Sequence, residues 1–125
     1  MDESRFQAHV DADLTRVQVD ELAGSLAIKR QELVDRVEHL EQQMLTKDDC
    51  SHVDAADAAV AQEGRLRAQG MVEQHQQIIM EIDAAFGRLK SGTYGVSETT
   101  EEPIDYNRLV LVPWARVGAD EQESK

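Results

Sequence analysis

Four aspartates lie close together around a short polar stretch, and their carboxylates are the groups in this sequence best suited to chemistry. Asp48 and Asp49 lie within the stretch, and Asp54 and Asp57 follow it, with Ala59 two residues further on. Such carboxylates can contact basic loops or a site that contains Mg²⁺. Alternatively, Asp54 caps a helix, and Asp57 completes an arrangement like a capping box.

The other reactive side chains do not form a pattern typical of a catalytic or metal site. The four histidines are far apart in the sequence and lack the spacing of metal ligands. They are His9, His39, His52 and His75. The single cysteine, Cys50, excludes an internal disulfide and is best explained as an incidental thiol. Because no phosphate loop or catalytic triad signature is present, we expect a protein that is not an enzyme.

The charge balance indicates a protein partner. The 125-residue chain has 25 acidic and 13 basic residues, which gives a formal net charge of −12. Nucleic acids and anionic membranes would repel such a chain, because both attract Lys and Arg. The longest apolar stretch, residues 109–115, is far shorter than the ~20 residues of a bilayer span. Since the sequence does not open with a secretory signal, we expect a cytoplasmic protein whose partner offers a basic surface.

A predicted helix precedes the polar stretch. Both prolines, Pro103 and Pro113, lie in the last quarter of the chain, and before them apolar residues recur at helical spacing. These residues are Val10, Leu14, Val17, Val19, Leu22, Leu26, Leu33, Val37, Leu40 and Met44. The last four have the steps of a coiled-coil seam. Lys29 and Arg30 interrupt the pattern, so we expect a break in register or a bend there.

A second predicted helix follows the polar stretch, and its seam positions alternate by three and four residues. They are Ala61, Gly64, Ala68, Met71, His75, Ile78, Ile82, Ala85 and Leu89. Lys90, Ser91 and Gly92 form a stop signal, because glycine favours the conformation that ends many helices. Two helices joined by so short a connection must run antiparallel and pack together.

The expected fold class is therefore mainly α, with a long antiparallel coiled-coil hairpin. We expect residues 1–27 to form an N-terminal helical segment near the base of the hairpin, and residues 28–91 to form the hairpin. The acidic end of the hairpin, residues 48–57, is termed the tip. Residues 92–125 form a small C-terminal module with an acidic tail. The expected core of the module consists of Tyr94, Ile104, Tyr106, Leu109, Leu111 and Trp114.

The C-terminal module contains a dense motif. Residues 92–104 read GTYGVSETTEEPI, followed by Asn107-Arg108-Leu109 and by PWAR at residues 113–116. This segment resembles the zinc finger of the DksA/TraR regulators of bacterial RNA polymerase, which opens approximately G-T-Y-G-x-C-x-x-C-G-x-P-I and continues with R-L and P-x-A segments. The motif directly follows a hairpin of suitable length, so the resemblance covers most of the chain.

The resemblance also exposes a difference at the metal ligands. The four cysteine positions of the family's zinc finger fall on Ser97, Thr100, Gly118 and Glu121. None of these residues supplies a thiolate, and a structural zinc site of this kind needs four nitrogen or sulfur ligands. We therefore expect a degenerate finger without zinc, in which packing replaces the free energy of metal binding.

The resemblance assigns the tip a role. The family has a D-x-x-D-x-A motif there, which Asp54, Asp57 and Ala59 match. In the family these residues act near the catalytic centre of RNA polymerase, which the hairpin reaches through the secondary channel. Arg108 and Arg116 are the expected docking residues. The resemblance implies a transcription regulator that binds bacterial RNA polymerase. Since the hairpin packs internally and the chain is acidic, we expect it to be monomeric and not to contact nucleic acid directly.

Family members also bind the alarmone guanosine tetraphosphate (ppGpp) between polymerase and regulator, using basic residues near the hairpin base and the finger. Here that region contains Glu81, Val112 and Gln122. We therefore expect no strong alarmone dependence and no cofactor.

Two further functions remain open. The chain could be an adaptor that dimerises or holds a partner through the seam from Leu33 to Met44. It could also be a transcript cleavage factor like the Gre proteins, whose tip acids assist metal-dependent RNA cleavage, although the C-terminal motif argues against this. A dimer that depends strongly on concentration would favour the first alternative, and cleavage of backtracked transcripts the second.

Overall fold

The computed structural model of the chain describes residues 7–47 and 55–118. It contains three helices: α1 (Arg16–Lys47), α2 (Ala55–Ser91) and α3 (Tyr106–Leu111). The described residues form no strand, and their β-pairing is limited to two isolated bridges. The predicted fold class, mainly α with two long helices packed together, is confirmed. None of the helices in these ranges has the combination of length and apolar character that a bilayer span requires.

Helix α1 begins at a capping box. Thr15 Oγ1 accepts a hydrogen bond from the Gln18 amide at 3.1 Å, and Gln18 Oε1 accepts one from the Thr15 amide at 2.9 Å. The described residues before Thr15 are not helical, so the prediction of a helix through Val10 and Leu14 is wrong. Once started, α1 continues as one helix through residues 29–30, where the sequence pattern is interrupted.

Helix α2 ends where the sequence predicts. Its last residue is Ser91, and Gly92 has a φ of +77°, a conformation that glycine adopts without strain. The Thr93 amide and the Ser91 hydroxyl both donate to the Arg88 carbonyl, at 2.9 and 3.2 Å. These bonds supply partners for a carbonyl near the end of the helix.

The chain divides into two compact units. The terminal unit comprises residues 1–29 and 80–125, and the middle unit comprises residues 30–79. Both long helices contribute to both units, because each passes through a border between them. The division predicted from the sequence instead placed its borders after residues 27 and 91.

An apolar seam between α1 and α2 holds the middle unit together. Val37 and Leu40 of α1 cluster with Ala68 and Val72 of α2, and each of these side chains is 6–8% exposed. The seam on α1 lies where the sequence predicts. On α2, Val72 is buried in place of Met71, which is 39% exposed. The shift by one residue is understandable because an α-helix drifts relative to a strict seven-residue repeat.

The core of the terminal unit is more deeply enclosed. Its side chains with at most 2% exposure are Leu22, Leu26, Ile82, Ala85, Leu89, Tyr94, Ser97 and Leu109. Ile104 is also buried, whereas Tyr106 and Trp114 are half-buried. Leu111 is 79% exposed, so its predicted place in the core is wrong. Helix α3 has only six residues and buries Leu109 alone.

Residues 7–14 pack against the start of the C-terminal module. The His9 amide donates to the Tyr94 carbonyl at 2.7 Å. Gly95 has a φ of +96°, and a Cβ at this position would lie 2.8 Å from the Ala12 Cβ. Both the backbone conformation and the close approach therefore require glycine here.

Candidate functional site

The described part of the tip lies at the start of α2. Asp57 is in the first turn of the helix, and both Asp57 and Ala59 are exposed. Asp54 directly precedes Ala55, the first helical residue, and lies outside the described residues, as do the other two tip aspartates. The partial positive charge at a helix N-terminus stabilises a carboxylate in the first turn. The position of Asp57 is therefore compatible with both capping and contact with a partner.

Exposed aliphatic side chains flank the tip in sequence, one on each helix. Leu45, near the end of α1, is 64% exposed, and Val60, in the second turn of α2, is 67% exposed. Sequence reasoning missed both residues, although their positions off the predicted seams could have identified them. A partner that meets this end of the middle unit would encounter apolar groups as well as carboxylates.

The first pair of degenerate ligand positions lies in a turn that is closed by its own hydrogen bonds. Ser97 is buried, and its Oγ accepts from the Thr99 amide at 3.2 Å and from the Thr100 amide at 3.4 Å. The Ser97 carbonyl accepts from the Glu101 amide at 2.9 Å. Thr100 Oγ1 accepts from the Glu102 amide at 3.3 Å. Both hydroxyls therefore hold the backbone of the turn.

The side chains at the degenerate positions do not fit a structural zinc ion. Ser97 and Thr100 offer neutral hydroxyls, Gly118 has no side chain, and Glu121 lies outside the described residues. Within residues 7–47 and 55–118, no group of three His, Cys, Asp or Glu side chains is arranged to hold a metal ion. Structural zinc requires a set of thiolate and imidazole ligands that these residues do not provide.

A largely buried arginine joins α2 to the C-terminal module. The Arg88 side chain is 13% exposed, and its Nη2 donates to the Trp114 carbonyl at 3.3 Å and to the Ala115 carbonyl at 3.4 Å. Its Nη1 lies 3.9 Å from Glu98 Oε2. Burial lowers the pKa of Arg88, and attraction to Glu98 opposes this change. The side chain stays cationic, because a guanidinium does not lose its proton in proteins.

Tyr94 makes a second long-range bond to the same segment. Its side chain is fully buried, and its hydroxyl donates to the Pro113 carbonyl at 2.7 Å. Burial raises the pKa of the Tyr94 phenol above its ordinary value, and the nearby Arg88 cation acts in the opposite direction. Tyr94 and Arg88 thus bond to three consecutive carbonyls, those of residues 113–115.

The two predicted docking arginines have different surroundings. Arg108 is half-buried, and its Nε donates to the Val117 carbonyl at 3.0 Å. The Arg116 side chain is 49% exposed, and its Nε lies 3.2 Å from Glu81 Oε1. Arg108 therefore stabilises the module by bonding to its backbone, whereas about half of the Arg116 side chain is exposed to solvent.

Two comparisons identify relatives of the chain, whereas no family model matches it. General stress protein 16O of Bacillus subtilis is 31% identical over 114 residues, which cover 87% of this chain and 69% of that protein. The RNA polymerase-binding transcription factor DksA of Caulobacter vibrioides is 34% identical over 79 residues. That match covers 63% of this chain and 56% of the DksA chain.

A solved structure has the same architecture. Transcription factor DksA2 from Pseudomonas aeruginosa superimposes with a TM-score of 0.77 at 33% sequence identity. The match covers 86% of this chain and 81% of the DksA2 chain. The resemblance read from the tip and the C-terminal motif is therefore confirmed, and the chain belongs to the DksA/TraR family.

Proposed function

We propose that this protein is a transcription regulator that binds bacterial RNA polymerase through its secondary channel and acts on it with the tip carboxylates. Membership of a family whose relative in Caulobacter is named for polymerase binding carries the proposal. The exposure of Asp57 and Ala59 at the start of α2 supports it, because an exposed side chain can contact a partner.

The charge of the chain favours a protein surface over nucleic acid as the target. At a net charge of −12, the protein is repelled by phosphate backbones and attracted by basic channels and loops. Asp54 and Asp57 then alter the stability of promoter complexes from within the polymerase. Leu45 and Val60 add apolar contact on either side of the carboxylates.

The C-terminal module docks on the polymerase outside the channel. Of the two arginines expected to take part, Arg116 is the more available, because Arg108 already donates to a carbonyl of its own module. The pairing of Arg116 with Glu81 lowers the local positive charge. For this reason we also expect only weak potentiation by guanosine tetraphosphate, an anion that needs unpaired basic groups.

The regulator acts without enzyme activity, in the cytoplasm, and as a monomer. Val37 and Leu40 of the α1 seam already pack against Ala68 and Val72 of the same chain. This internal packing disfavours the adaptor that would dimerise through the seam from Leu33 to Met44. Sedimentation over a wide concentration range distinguishes the two functions, and a dimer would favour the adaptor.

The tip is tested with the double variant Asp54→Asn/Asp57→Asn in a transcription assay and a polymerase pull-down. We expect polymerase binding to persist and the effect on transcription to disappear, since the change removes two charges but little volume. A matched control, Glu38→Gln/Glu41→Gln, removes two exposed carboxylates from α1 and should behave as wild type.

Loss of binding together with loss of the transcriptional effect would instead give the tip a docking or folding role. Unchanged regulation by the aspartate variant would contradict the proposal. Cleavage of backtracked transcripts by the wild-type protein would identify a factor of the Gre type.

A further inference from the structure

The C-terminal module contains two loops that the family's zinc ligands would join. Positions 97 and 100 form one ligand pair, and positions 118 and 121 form the other. The Glu98 amide donates to the Arg116 carbonyl at 2.9 Å. The turn at residues 97–102 therefore lies one hydrogen bond away from the segment that leads to the second pair.

We propose that the Arg88 guanidinium closes this module in place of a metal ion. Its Nη2 donates to the carbonyls of Trp114 and Ala115 on one loop, and its Nη1 faces the carboxylate of Glu98 on the other. A cation thus lies between oxygen atoms of both loops, as a structural metal would lie between its ligands. The guanidinium is anchored on α2, which also fixes the module against that helix.

The chemistry of the guanidinium suits this role. It is planar and permanently charged, and Nη2 carries two N–H groups, so this one nitrogen can donate to two neighbouring carbonyls. Hydrogen bonds from an ionised donor are about twice as strong as neutral ones. The Arg88 side chain is 13% exposed, so water competes with these bonds only weakly. The contact with Glu98 is long and half-exposed, and the two carbonyls therefore contribute more.

The residues at the first ligand pair make the metal unnecessary within their own turn. Ser97 Oγ receives two backbone amides, those of Thr99 and Thr100. A thiolate at the same place could receive the same amides and still bind zinc, whereas a neutral hydroxyl is not among the ligands of structural zinc sites. The two loops must then be held together, and Arg88 does this alongside the backbone bond from Glu98 to Arg116.

Hydrogen–deuterium exchange on the full chain tests the proposal with Arg88→Met, Arg88→Lys and the control Arg67→Met, which removes an exposed arginine of α2 in the middle unit. Loss of two charge-assisted bonds should lower the protection of the Glu98 and Ala115 amides about ten- to a hundredfold in Arg88→Met. Arg88→Lys should keep part of this protection, and the middle unit should be unchanged in every variant. Protection in Arg88→Met that matches Arg67→Met, or that falls equally in both units, would overturn the proposal.

A second variant tests whether a bound zinc ion can replace the Arg88 guanidinium in holding the two loops together. The four-cysteine chain S97C/T100C/G118C/E121C should bind Zn²⁺, as measured by metal content after gel filtration. In its zinc-loaded form, adding Arg88→Met should change protection of the module by less than about threefold. Failure to bind zinc would show that the two loops do not correspond to the family's ligand pairs. A full loss of protection despite bound zinc would show that a metal does not replace the guanidinium. Either result would overturn the proposal.

Discussion

The terminal and middle units share the same two long helices but are packed to different depths. In the terminal unit, Leu26, Ile82 and Leu89 have no exposed surface, whereas the most buried apolar side chain described in the middle unit, Leu33, is 5% exposed. Two helices alone cannot surround a side chain. The terminal unit adds residues 7–14 and the C-terminal module, which cover its helices from further sides. We infer that the terminal unit is the more stable of the two and that local unfolding costs less free energy in the middle unit.

Hydrogen bonding, like apolar packing, is more complete in the terminal unit than in the middle unit. Long-range hydrogen bonds cross the terminal unit, from Arg88 and Tyr94 to residues 113–115 and from Tyr106 to Glu21 at 3.1 Å. In the middle unit, both ring nitrogens of the half-buried His75 are shielded from solvent. Neither nitrogen has a hydrogen-bond partner among the described residues. A buried nitrogen without a partner weakens the packing around it.

The largest expected effect comes from truncating one leucine in each unit. Leu26→Ala should lower the free energy of unfolding by about 4 kcal/mol, because it leaves an enclosed cavity. Leu40→Ala should cost only about 2 kcal/mol, because its site is open to solvent on one side and can collapse. Urea denaturation followed by circular dichroism measures both. Ile28→Ala, at a 64% exposed position of α1, is the control and should change stability by less than about 0.5 kcal/mol. If both leucine substitutions lowered the free energy of unfolding equally, the inferred difference in packing between the units would be contradicted.

A smaller effect concerns the bond between Tyr94 and Pro113. Tyr94→Phe should cost about 1–2 kcal/mol at neutral pH, since a buried carbonyl loses its donor. Because burial raises the pKa of Tyr94 in the folded protein, its contribution is complete below the unfolded pKa of about 10 and is lost as the pH rises further. Wild type should therefore lose stability faster than Tyr94→Phe above about pH 10. Thermal unfolding at a series of alkaline pH values tests this, and parallel curves for the two proteins would contradict it.

The smallest effect is a gain. Glu101 has a φ of +61°, a left-handed conformation that costs a residue with a Cβ about 1–2 kcal/mol, and it occupies a glycine position of the family pattern. Glu101→Gly should raise the free energy of unfolding by about 0.5–1 kcal/mol, because glycine's greater freedom in the unfolded chain offsets part of the relief. Chemical denaturation measures the gain. Glu102→Gly, at the neighbouring exposed position, is the control and should not stabilise the protein.

Local patterns in the sequence were enough to predict much of the fold. The seam from Leu33 to Leu40 and the end of α2 before Gly92 follow from spacing and from glycine chemistry. The start of α1 could not be predicted from apolar spacing, because Val10 and Leu14 also have helical spacing. The sequence does contain the better signal, since Thr15 and Gln18 have the three-residue separation of a capping box. Leu14 instead lies beside Gly95 of the module, whereas Val10 is 93% exposed.

Only those residues of the candidate site that belong to a family sequence motif could be predicted. Asp57 and Ala59 could be placed at the start of a helix, and Ser97 and Thr100 could be assigned as former ligand positions. The role of Arg88 could not be predicted, because its partners lie 26 and 27 residues away and are backbone carbonyls, which carry no sequence signal. The exposure of Leu111 was likewise hidden, since it depends on how α3 lies on the core.

Binding of the chelator-treated protein to purified RNA polymerase tests the central claim most directly. In a biosensor assay with immobilised core enzyme, we expect saturable binding of one copy per polymerase, with an affinity unchanged by adding EDTA or Zn²⁺. The absence of saturable binding, or binding that appears only when zinc is supplied, would contradict the claim that this chain is a polymerase-binding regulator whose module folds without a metal.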